Sequence, residues 1–523
     1  MRPASGIASP GLAWRGKRFL APSLADLFLV ALLLATLGRP QSWLGLLADG
    51  DTGWHIRTGE YILNTAAVPR HDLFSFTRPG EPWFAWEWLA DVFYGWLHHW
   101  HGLGAVAAFS AVLLCLSATC LFCWLLRRGA GLWIALAVTL AAVSASTVHY
   151  LARPHVFSLL FVTVTLWVLD EDRRHPSGVV WSLVPLSALW ANLHGGFVSG
   201  VAIVGLLAVV CALQGKWSAV RRYGALTGCC GAATFLNPYG WHLHQHIAGY
   251  LSSTWILDNV QEFQSPRIRS EGMLVFAALL LGGALLASRS LERKEWFEGV
   301  LVVVWGFAAL RSARHVPLYA VAAAPVIAGE LAGWWRRMAA QSSARSPSRI
   351  LWELSEDLGR PRGMSLWAPA GCAVALLLTI PSAPVKSFPE PRFPVVAVER
   401  NLAALQPDVE RRILTSDQWA DYLIYRLYPR IHVFFDGRSD FYGPAIGGDY
   451  QVLLSAGAQW RQILSRYRFD AALLPRDWPL GTVLENDPRW RVIYRDAVAV
   501  LLVRGPDGLM KTRETAECIS ESE

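Results

Sequence analysis

Carboxylates, histidines and arginines stand in short blocks between long apolar segments of this 523-residue chain. The first block contains Asp49 and Asp51, two residues apart, and His55 follows four residues later. Carboxylates beside an imidazole can accept and deliver protons in general acid–base catalysis. We therefore predict Asp51 and Asp49 as catalytic residues. The alternative is that the two aspartates only cap the helix that is predicted to begin near Trp54.

Arginines and histidines form further blocks. Arg153 and His155 stand together, as do Arg311, Arg314 and His315. The planar guanidinium fork matches a phosphate group, although an arginine at a membrane boundary can also simply extend its charge into water. We predict that Arg153, Arg311 and Arg314 hold a phosphate. The other predicted substrate-binding residues come from the same or similar blocks: His55, Glu87, His155, His194, Asn237, Glu262 and His315.

The sequence predicts no firm metal site. His242 and His246 would lie on the same face of a helix, one turn apart. If a divalent cation binds, His242 and His246, or Asp49 and Asp51, are the candidate ligands. None of the spacings of the eight cysteines matches a zinc site. No other cofactor is predicted.

The elements that must position these blocks are apolar. The chain is 53% hydrophobic and 17% charged, and its mean hydropathy of +0.31 is too high for an ordinary soluble protein. These values and the apolar segments predict a polytopic α-helical membrane protein with about eleven transmembrane helices. The segments are 19–37, 103–126, 131–148, 156–169, 179–193, 197–214, 223–236, 273–287, 297–310, 316–334 and 367–381.

The distribution of basic residues predicts the orientation. Arg2, Arg15, Lys17 and Arg18 precede the first segment, and alternate connections are also basic, which places them together in the cytoplasm. All of the blocks described above then face outward. We predict a multi-pass membrane protein with a cytoplasmic amino terminus. The same bias accounts for the net charge of +7, and no nucleic-acid-binding motif is present, so nucleic acid is excluded as a partner.

Composition also predicts the domain boundaries. Residues 1–381 form the transmembrane domain, whose long first outer loop, 38–102, includes an interfacial helix predicted at 84–97. A proline-rich linker, 382–394, leads to residues 395–523, where short apolar runs alternate with helical stretches. This pattern predicts a small α/β domain, which the orientation places in the periplasm or outside the cell.

Several blocks resemble a known family when they are taken in order. They include Asp51-Thr-Gly-Trp-His55, Arg153-Pro154, Asn192-Leu-His194, Glu262-Phe-Gln-Ser-Pro266, Arg314-His315-Val-Pro317 and Phe435-Asp-Gly-Arg438. Together they resemble bacterial glycosyltransferase-like polytopic membrane proteins related to the C-type (GT-C) membrane glycosyltransferase superfamily. The resemblance implies a polyprenyl-phosphate-linked sugar donor, an active site at the outer membrane–water boundary and a catalytic aspartate in the first outer loop. That role corresponds to Asp51, with Asp49 beside it.

We therefore expect a membrane glycosyltransferase, a hexosyl- or pentosyltransferase, that acts at the outer face of the inner membrane. It would use a polyprenyl-phosphate-linked sugar donor and a glycan, lipid or protein acceptor within the bilayer environment. The alternatives are a transporter or flippase for a lipid-linked or anionic solute, and a non-catalytic envelope assembly protein. A transporter is less favoured, because we find no internal sequence repeat.

Overall fold

The computed structural model describes residues 21–270, 272–359, 363–379, 385–405 and 411–505. Arg2, Arg15, Lys17 and Arg18 lie outside the described residues, as does the start of the predicted linker. The chain forms two compact units. Unit 1 comprises Met1–Leu47, Thr58–Val68 and Phe84–Lys386, and unit 2 comprises Ala48–Arg57, Pro69–Trp83 and Ser387–Glu523. Both units are therefore assembled from segments that alternate along the chain.

Helices build unit 1, and each of the eleven predicted apolar segments contains one. The α-helices up to residue 379 are α1 (Leu24–Leu37), α2 (Pro40–Leu46), α3 (Asp51–Thr65), α4 (Trp88–Arg127), α5 (Leu132–Ser146), α6 (His155–Arg174), α7 (Leu183–Leu193), α8 (Phe197–Leu213), α9 (Trp217–Ala233), α10 (Trp241–Ser252), α11 (Thr254–Asn259), α12 (Met273–Glu292), α13 (Trp296–Arg311), α14 (Val316–Gln341), α15 (Pro347–Leu358) and α16 (Trp367–Thr379). Of these, α3 begins in the sequence of unit 2 and ends in that of unit 1.

Among the described residues, four helical stretches are long and apolar enough to cross a membrane: Trp88–Arg127, Leu132–His149, Met273–Glu292 and Ala313–Gln341. Several shorter helices are also apolar, among them α1, α8 and α16. The prediction of a multi-pass helical membrane protein is thus confirmed as a fold class. The number of spans and their orientation remain predictions.

The region of the predicted interfacial helix is helical from Trp88, and a kink separates it from the next apolar segment. A helix begins at Trp88 and continues to Arg127 through a kink at His101 and Gly102. Gly102 has a φ of 66°, a left-handed conformation that glycine adopts without a steric penalty. The sequence suggested two elements because the charges of residues 84–97 interrupt its apolar pattern. The kink keeps them apart, because neither His101 nor Gly102 has helical backbone angles.

Two glycines fix where the second half of α3 meets the start of α4. A Cβ atom added to Gly59 would lie 1.8 Å from the carbonyl oxygen of Asp91, and one added to Gly95 would lie 2.6 Å from the backbone of Gly59. The two helix backbones are therefore in direct contact, an arrangement that only residues without a side chain permit. This contact positions the first turn of α4, which follows Glu87 directly.

Unit 2 contains a four-stranded sheet with the order β1-β2-β4-β3. The strands are β1 (Ile413–Leu414), β2 (Ala471–Pro475), β3 (Trp490–Arg495) and β4 (Ala499–Arg504). The β1–β2 pair is parallel and the other two pairs are antiparallel. The accompanying helices are α17 (Val395–Arg400), α18 (Leu402–Leu405), α19 (Asp417–Leu427), α20 (Ser439–Leu454), α21 (Trp460–Tyr467) and α22 (Pro479–Glu485). The predicted α/β composition of the carboxyl-terminal part is confirmed.

Two segments from near the amino terminus complete unit 2. Val433 pairs with Ser75 and Ile413 through isolated bridges, so the apolar run from His432 to Phe435 is a link between segments and not a strand. Gly50 and Gly53 allow the start of α3 to touch α19. A Cβ atom would lie 2.2 Å from the Gln418 carbonyl oxygen in the first case and 2.5 Å from that of Asp421 in the second. These glycines serve close packing between helices.

Candidate functional site

The ends of several unit 1 helices bring most of the predicted substrate-binding residues together. Arg153 and His155 stand at the start of α6, and His194 follows the last residue of α7. Glu262 lies in a 3₁₀ turn, Gln261–Phe263, and Arg314 in another, Ala313–His315. A helix end leaves backbone groups unpaired and brings side chains from distant segments together, which makes it a natural place for a polar site.

An arginine–glutamate–arginine bridge forms one half of this cluster. A guanidinium nitrogen of Arg153 donates to Oε1 of Glu262, and Nε of Arg314 lies 3.5 Å from Oε2. Arg314 also donates from Nη1 to the Tyr250 hydroxyl at 3.0 Å, and its guanidinium lies 4.6 Å from the Phe263 ring centroid. Burial raises the pKa of Glu262, but the charges of Arg153 and Arg314 outweigh it and hold the pKa well below its usual range. Glu262 is therefore an anion at neutral pH.

A glutamate–histidine–serine chain forms the other half. The backbone N–H of Gly196 donates to Nδ1 of His194 at 3.0 Å, so Nδ1 is an acceptor and the ring proton is on Nε2. Nε2 lies 3.3 Å from Oε1 of Glu87, and the Ser158 hydroxyl lies 2.7 Å from Nδ1. Burial and the charges of His155, Arg314 and Arg153 lower the pKa of His194 well below its usual value. The ring is thus neutral, and its Nε2 faces Glu87.

His155 connects the two halves. Its ring centroid lies 6.5 Å from that of His194 and 5.6 Å from that of His149. Nε2 of His155 donates to the His149 carbonyl oxygen at 2.6 Å, and Nε2 of His149 donates to the Ala313 carbonyl oxygen at 3.2 Å. The turn that carries Arg314 is thereby joined to the start of α6 through the two histidines. The cluster contains two guanidinium groups, two carboxylates and three imidazoles.

The predicted catalytic aspartates, Asp49 and Asp51, lie in unit 2. Asp51 is the first residue of α3, and Oδ1 of Asp49 accepts a hydrogen bond from its backbone N–H at 2.9 Å. A Cβ atom added to Gly437 would lie 2.1 Å from Oδ1 of Asp51 and 2.9 Å from Oδ2 of Asp421. Two carboxylates from distant parts of the chain therefore converge on Gly437, and their side chains are almost completely buried.

This arrangement changes the protonation of Asp421. Burial raises its pKa well above the usual value, and the negative charges of Asp51 and Asp436 raise it further. Its Oδ1 accepts a hydrogen bond from the backbone N–H of Gly437 at 3.1 Å. Asp51 and Asp421 thus form a carboxyl pair in which one proton relieves the repulsion between the two groups.

Arg438 holds together the segments that surround this pair. It contacts Oδ1 of Asp72 at 2.8 Å and binds Asp436 through Nε at 2.9 Å and Nη2 at 2.6 Å. The rings of Phe74 and Trp83 lie 4.9 and 4.7 Å from its guanidinium carbon. A buried guanidinium is tolerated when carboxylates neutralise its charge, as Asp72 and Asp436 do here. The motif Asp436-Gly437-Arg438 therefore fixes the position of Gly437 below Asp51.

Other predicted residues have different surroundings. Asn237 bonds the backbone of its own turn, donating to Thr234 at 2.8 Å and accepting from Tyr239 at 2.8 Å. Arg311 is exposed at the end of α13, and the ring of His315 lies 5.7 Å from that of Trp305. The His55 ring lies 3.6 Å from that of Trp54, within unit 2. We therefore leave Asn237 and Arg311 out of the cluster.

The candidate metal ligands do not form a site in the part of the chain that the structure describes. There, no three His, Cys, Asp or Glu side chains are arranged to hold a metal ion. His246 instead stacks on Phe84, with ring centroids 4.9 Å apart, on α10. We assign no metal ligand among Asp49, Asp51, His242 and His246.

Two residues of the cluster in unit 1 were not identified from the sequence. Ser158 stands one turn after His155 in α6, so its helical spacing could have indicated a shared face. Tyr250 lies at the end of a helix with no motif around it, and only the fold brings it to Arg314. The role of Asp421 was missed as well, because 370 positions separate it from Asp51.

No protein-family model matches the chain, and no curated protein sequence is similar to it. The fold is similar to that of the archaeal oligosaccharyltransferase AglB from Archaeoglobus fulgidus in complex with an inhibitory peptide and a dolichol-phosphate. That match has a TM-score of 0.52 and 11% identity and covers 88% of this chain and 69% of the other. ArnT from Cupriavidus metallidurans bound to undecaprenyl phosphate matches with a TM-score of 0.49 and 14% identity over 92% and 99% of the two chains. The likeness to AglB confirms the fold that the resemblance implies.

Proposed function

We propose that this protein is a membrane glycosyltransferase that transfers a sugar from a polyprenyl-phosphate-linked donor to a glycan, lipid or protein acceptor. The observation that carries the proposal is the convergence of Arg153 and Arg314 on one anion, Glu262, at the ends of unit 1 helices. The fold supports it, because the AglB structure with the same fold contains a dolichol-phosphate. We place the reaction at the outer face of the inner membrane, as the basic connections predict.

The proposed chemistry uses the charges of the unit 1 cluster. When the sugar leaves its carrier, negative charge develops on the lipid phosphate, and guanidinium groups stabilise such charge through paired hydrogen bonds. Neutral imidazoles at His155 and His194 add donors or acceptors without adding repulsion between cations. Glu87, held by His194, is proposed to position the donor or acceptor. The sugar is proposed to be a hexose or a pentose.

We propose Asp51 as the base that accepts the proton of the acceptor hydroxyl, with Asp49 supporting the start of α3. The proposal is supported by the position of Asp51 beside Asp421 at Gly437, where burial and nearby negative charge raise the pKa of the Asp421 carboxyl. We also propose that residues 1–381 form the transmembrane part of the chain, 382–394 the linker and 395–523 the extracytoplasmic part.

Replacing Arg153 by lysine tests the phosphate role. Lys keeps the charge but cannot reproduce the guanidinium fork, so we expect transfer from a polyprenyl-phosphate-linked sugar to fall about ten- to a hundredfold per folded molecule. The measurement is transfer to acceptors in envelope extracts, with purified protein in nanodiscs. Arg222→Lys is the matched control, because Arg222 also binds a carboxylate through two nitrogens, at Asp172. Equal activity of Arg153→Lys and the wild type would remove Arg153 from the site. A wild type that binds or moves the lipid without transferring sugar would favour the flippase alternative.

A further inference from the structure

Glu262 occupies the position between the two arginines at which a phosphate would be bound. Its two oxygens face different guanidinium groups, one on Arg153 and one on Arg314. A carboxylate and a phosphate present similar acceptor oxygens to such groups. An anion that binds both arginines must therefore first displace the side chain of Glu262.

The surroundings of Glu262 allow its side chain to leave. Its backbone is held separately, because the Ser312 hydroxyl donates to the Glu262 carbonyl oxygen at 2.9 Å and the Ala313 N–H donates to that of Gln264 at 2.9 Å. Arg314 retains its hydrogen bond to Tyr250 and its contact with Phe263 when the carboxylate departs. The Glu262 side chain is 27% exposed, so it has a route to solvent. Replacing the Glu262 carboxylate by a phosphate thus requires only a change in the Glu262 side-chain rotamer.

We propose that Glu262 determines the specificity of the arginine pair: it is the anion that a lipid-linked phosphate replaces, and it excludes free phosphate. This inference rests on the proposed function. The apparent affinity for any anion is reduced by the fraction of molecules in which Glu262 still occupies the arginines. A polyprenyl chain adds binding energy through its contact with apolar surface, and this offsets the affinity lost to competition from Glu262. Inorganic phosphate has no such contribution.

A positioning role for Glu262 makes the opposite prediction. If its carboxylate were needed to orient Arg153 and Arg314, neutralising it would leave two cations misplaced, and phosphate would bind more weakly. If Glu262 competes with phosphate, neutralising it removes the competitor, and phosphate binds more tightly. The sign of the change in affinity therefore distinguishes the two roles.

The test is the Glu262→Gln variant of the full chain in nanodiscs, with undecaprenyl phosphate and inorganic phosphate as separate probes. We expect the apparent affinity for undecaprenyl phosphate to rise about tenfold or more, the effect of removing a charged hydrogen-bond partner. Inorganic phosphate should raise the melting temperature of the variant at concentrations that leave the wild type unchanged. Unchanged or weaker binding of both probes would overturn the inference.

Glu298→Gln is the matched control. Glu298 also lies between two arginines, 2.7 Å from Arg173 and 4.0 Å from Arg128, at the opposite end of α6 from Arg153. We expect no gain in affinity for undecaprenyl phosphate from this change. An equal gain in the two variants would reduce the effect to general electrostatics and overturn the assignment to Glu262.

A second variant covers the case in which Glu262→Gln does not fold. Glu262→Asp keeps the charge but shortens the side chain by one methylene, which weakens its bridge between Arg153 and Arg314. A smaller gain in affinity is expected, and a loss would overturn the inference. A wild type that does not bind undecaprenyl phosphate would refute the proposed function. Binding by the wild type without a gain in the variants would refute only this inference.

Discussion

Asp51 combines burial with a like-charged neighbour. It is 5% exposed, and the carboxyl of Asp421 approaches it over Gly437. Protein folding alone would favour an uncharged residue here, because each added negative charge makes ionisation of the others costlier. A buried carboxylate that opposes stability in this way fits a role in proton transfer.

The Asp51→Asn variant separates the catalytic role from a structural one. If Asp51 is the base, turnover per folded molecule should fall by about 10² to 10⁴ while donor binding persists. The melting temperature should not fall, because the change removes a negative charge that raises the pKa of Asp421. Turnover and thermal unfolding of the purified protein provide the two measurements.

Asp49→Asn is the companion variant. Asp49 accepts the Asp51 N–H near the start of α3, and an asparagine oxygen can accept the same bond, so we expect little change in stability and a smaller effect on turnover than for Asp51→Asn. A fully active Asp51→Asn protein would remove the catalytic assignment. Equal losses in the two variants would indicate that the aspartates act together.

Local spacing in the sequence identified some of the site residues and missed others. Arg153, His155, His194 and Glu262 could be predicted to lie near one another, because the apolar pattern placed all of them at helix ends on one side. Their partners could not, since the bridge between Arg153 and Arg314 through Glu262 depends on the rotamers of three side chains. The pairing of Asp51 with Asp421 depends on contacts over hundreds of residues, which no local pattern encodes.

Among the helices, the crossing of α3 and α4 allows the least change. The backbones meet at Gly59 and Gly95, where an added methyl group would overlap main-chain atoms that cannot move aside. We expect Gly95→Ala to lower the stability of the protein by about 1–3 kcal/mol or more, as overpacking does in other cores. Thermal unfolding in detergent measures the change.

Gly282→Ala is the control for this prediction. Gly282 also lies within a helix, α12, but a Cβ atom there would contact nothing within 4 Å. Alanine favours helix more than glycine does, so this change should leave stability equal or slightly higher. Similar melting temperatures for Gly95→Ala and Gly282→Ala would show that the α3–α4 contact is looser than described.

The same elements show how far the sequence predicts structure. The apolar segments located the helices, because length and hydropathy act locally, and the kink at Gly102 lies between the predicted interfacial helix and the next apolar segment. In unit 2 the runs at β1, β2, β3 and β4 were recognised, whereas α20 and α22 were not. Their glycines and prolines weaken the helical pattern, and tertiary packing overrides that weak propensity.

For the whole molecule, the orientation is the prediction that matters most. With an odd number of spans and a cytoplasmic amino terminus, an exposed cysteine in unit 2 should react with an impermeant thiol reagent in spheroplasts. Asp477→Cys, in a background without the native cysteines, provides the exposed position, and labelling is measured by mass shift.

Ser343→Cys is the opposite control, since Ser343 is exposed in a connection predicted to be cytoplasmic. It should react only after lysis. The reverse pattern, with Ser343→Cys labelled in spheroplasts and Asp477→Cys protected, would invert the orientation. The proposed site would then face the cytoplasm, where other donors are available.

The division of unit 2 into separate segments of the chain also determines how early in synthesis unit 2 can fold. Residues 48–57 and 69–83 leave the ribosome about 300 residues before their partners, which begin at Ser387. At roughly 5–20 residues per second, this interval is about 15–60 s. During this interval Phe74 and Trp83 lack Arg438, whose guanidinium packs against their rings in the folded protein. The aromatic segment 69–83 of the nascent chain must therefore be kept from aggregating. Biogenesis of the protein thus depends on shielding of this segment by chaperones or by the membrane surface.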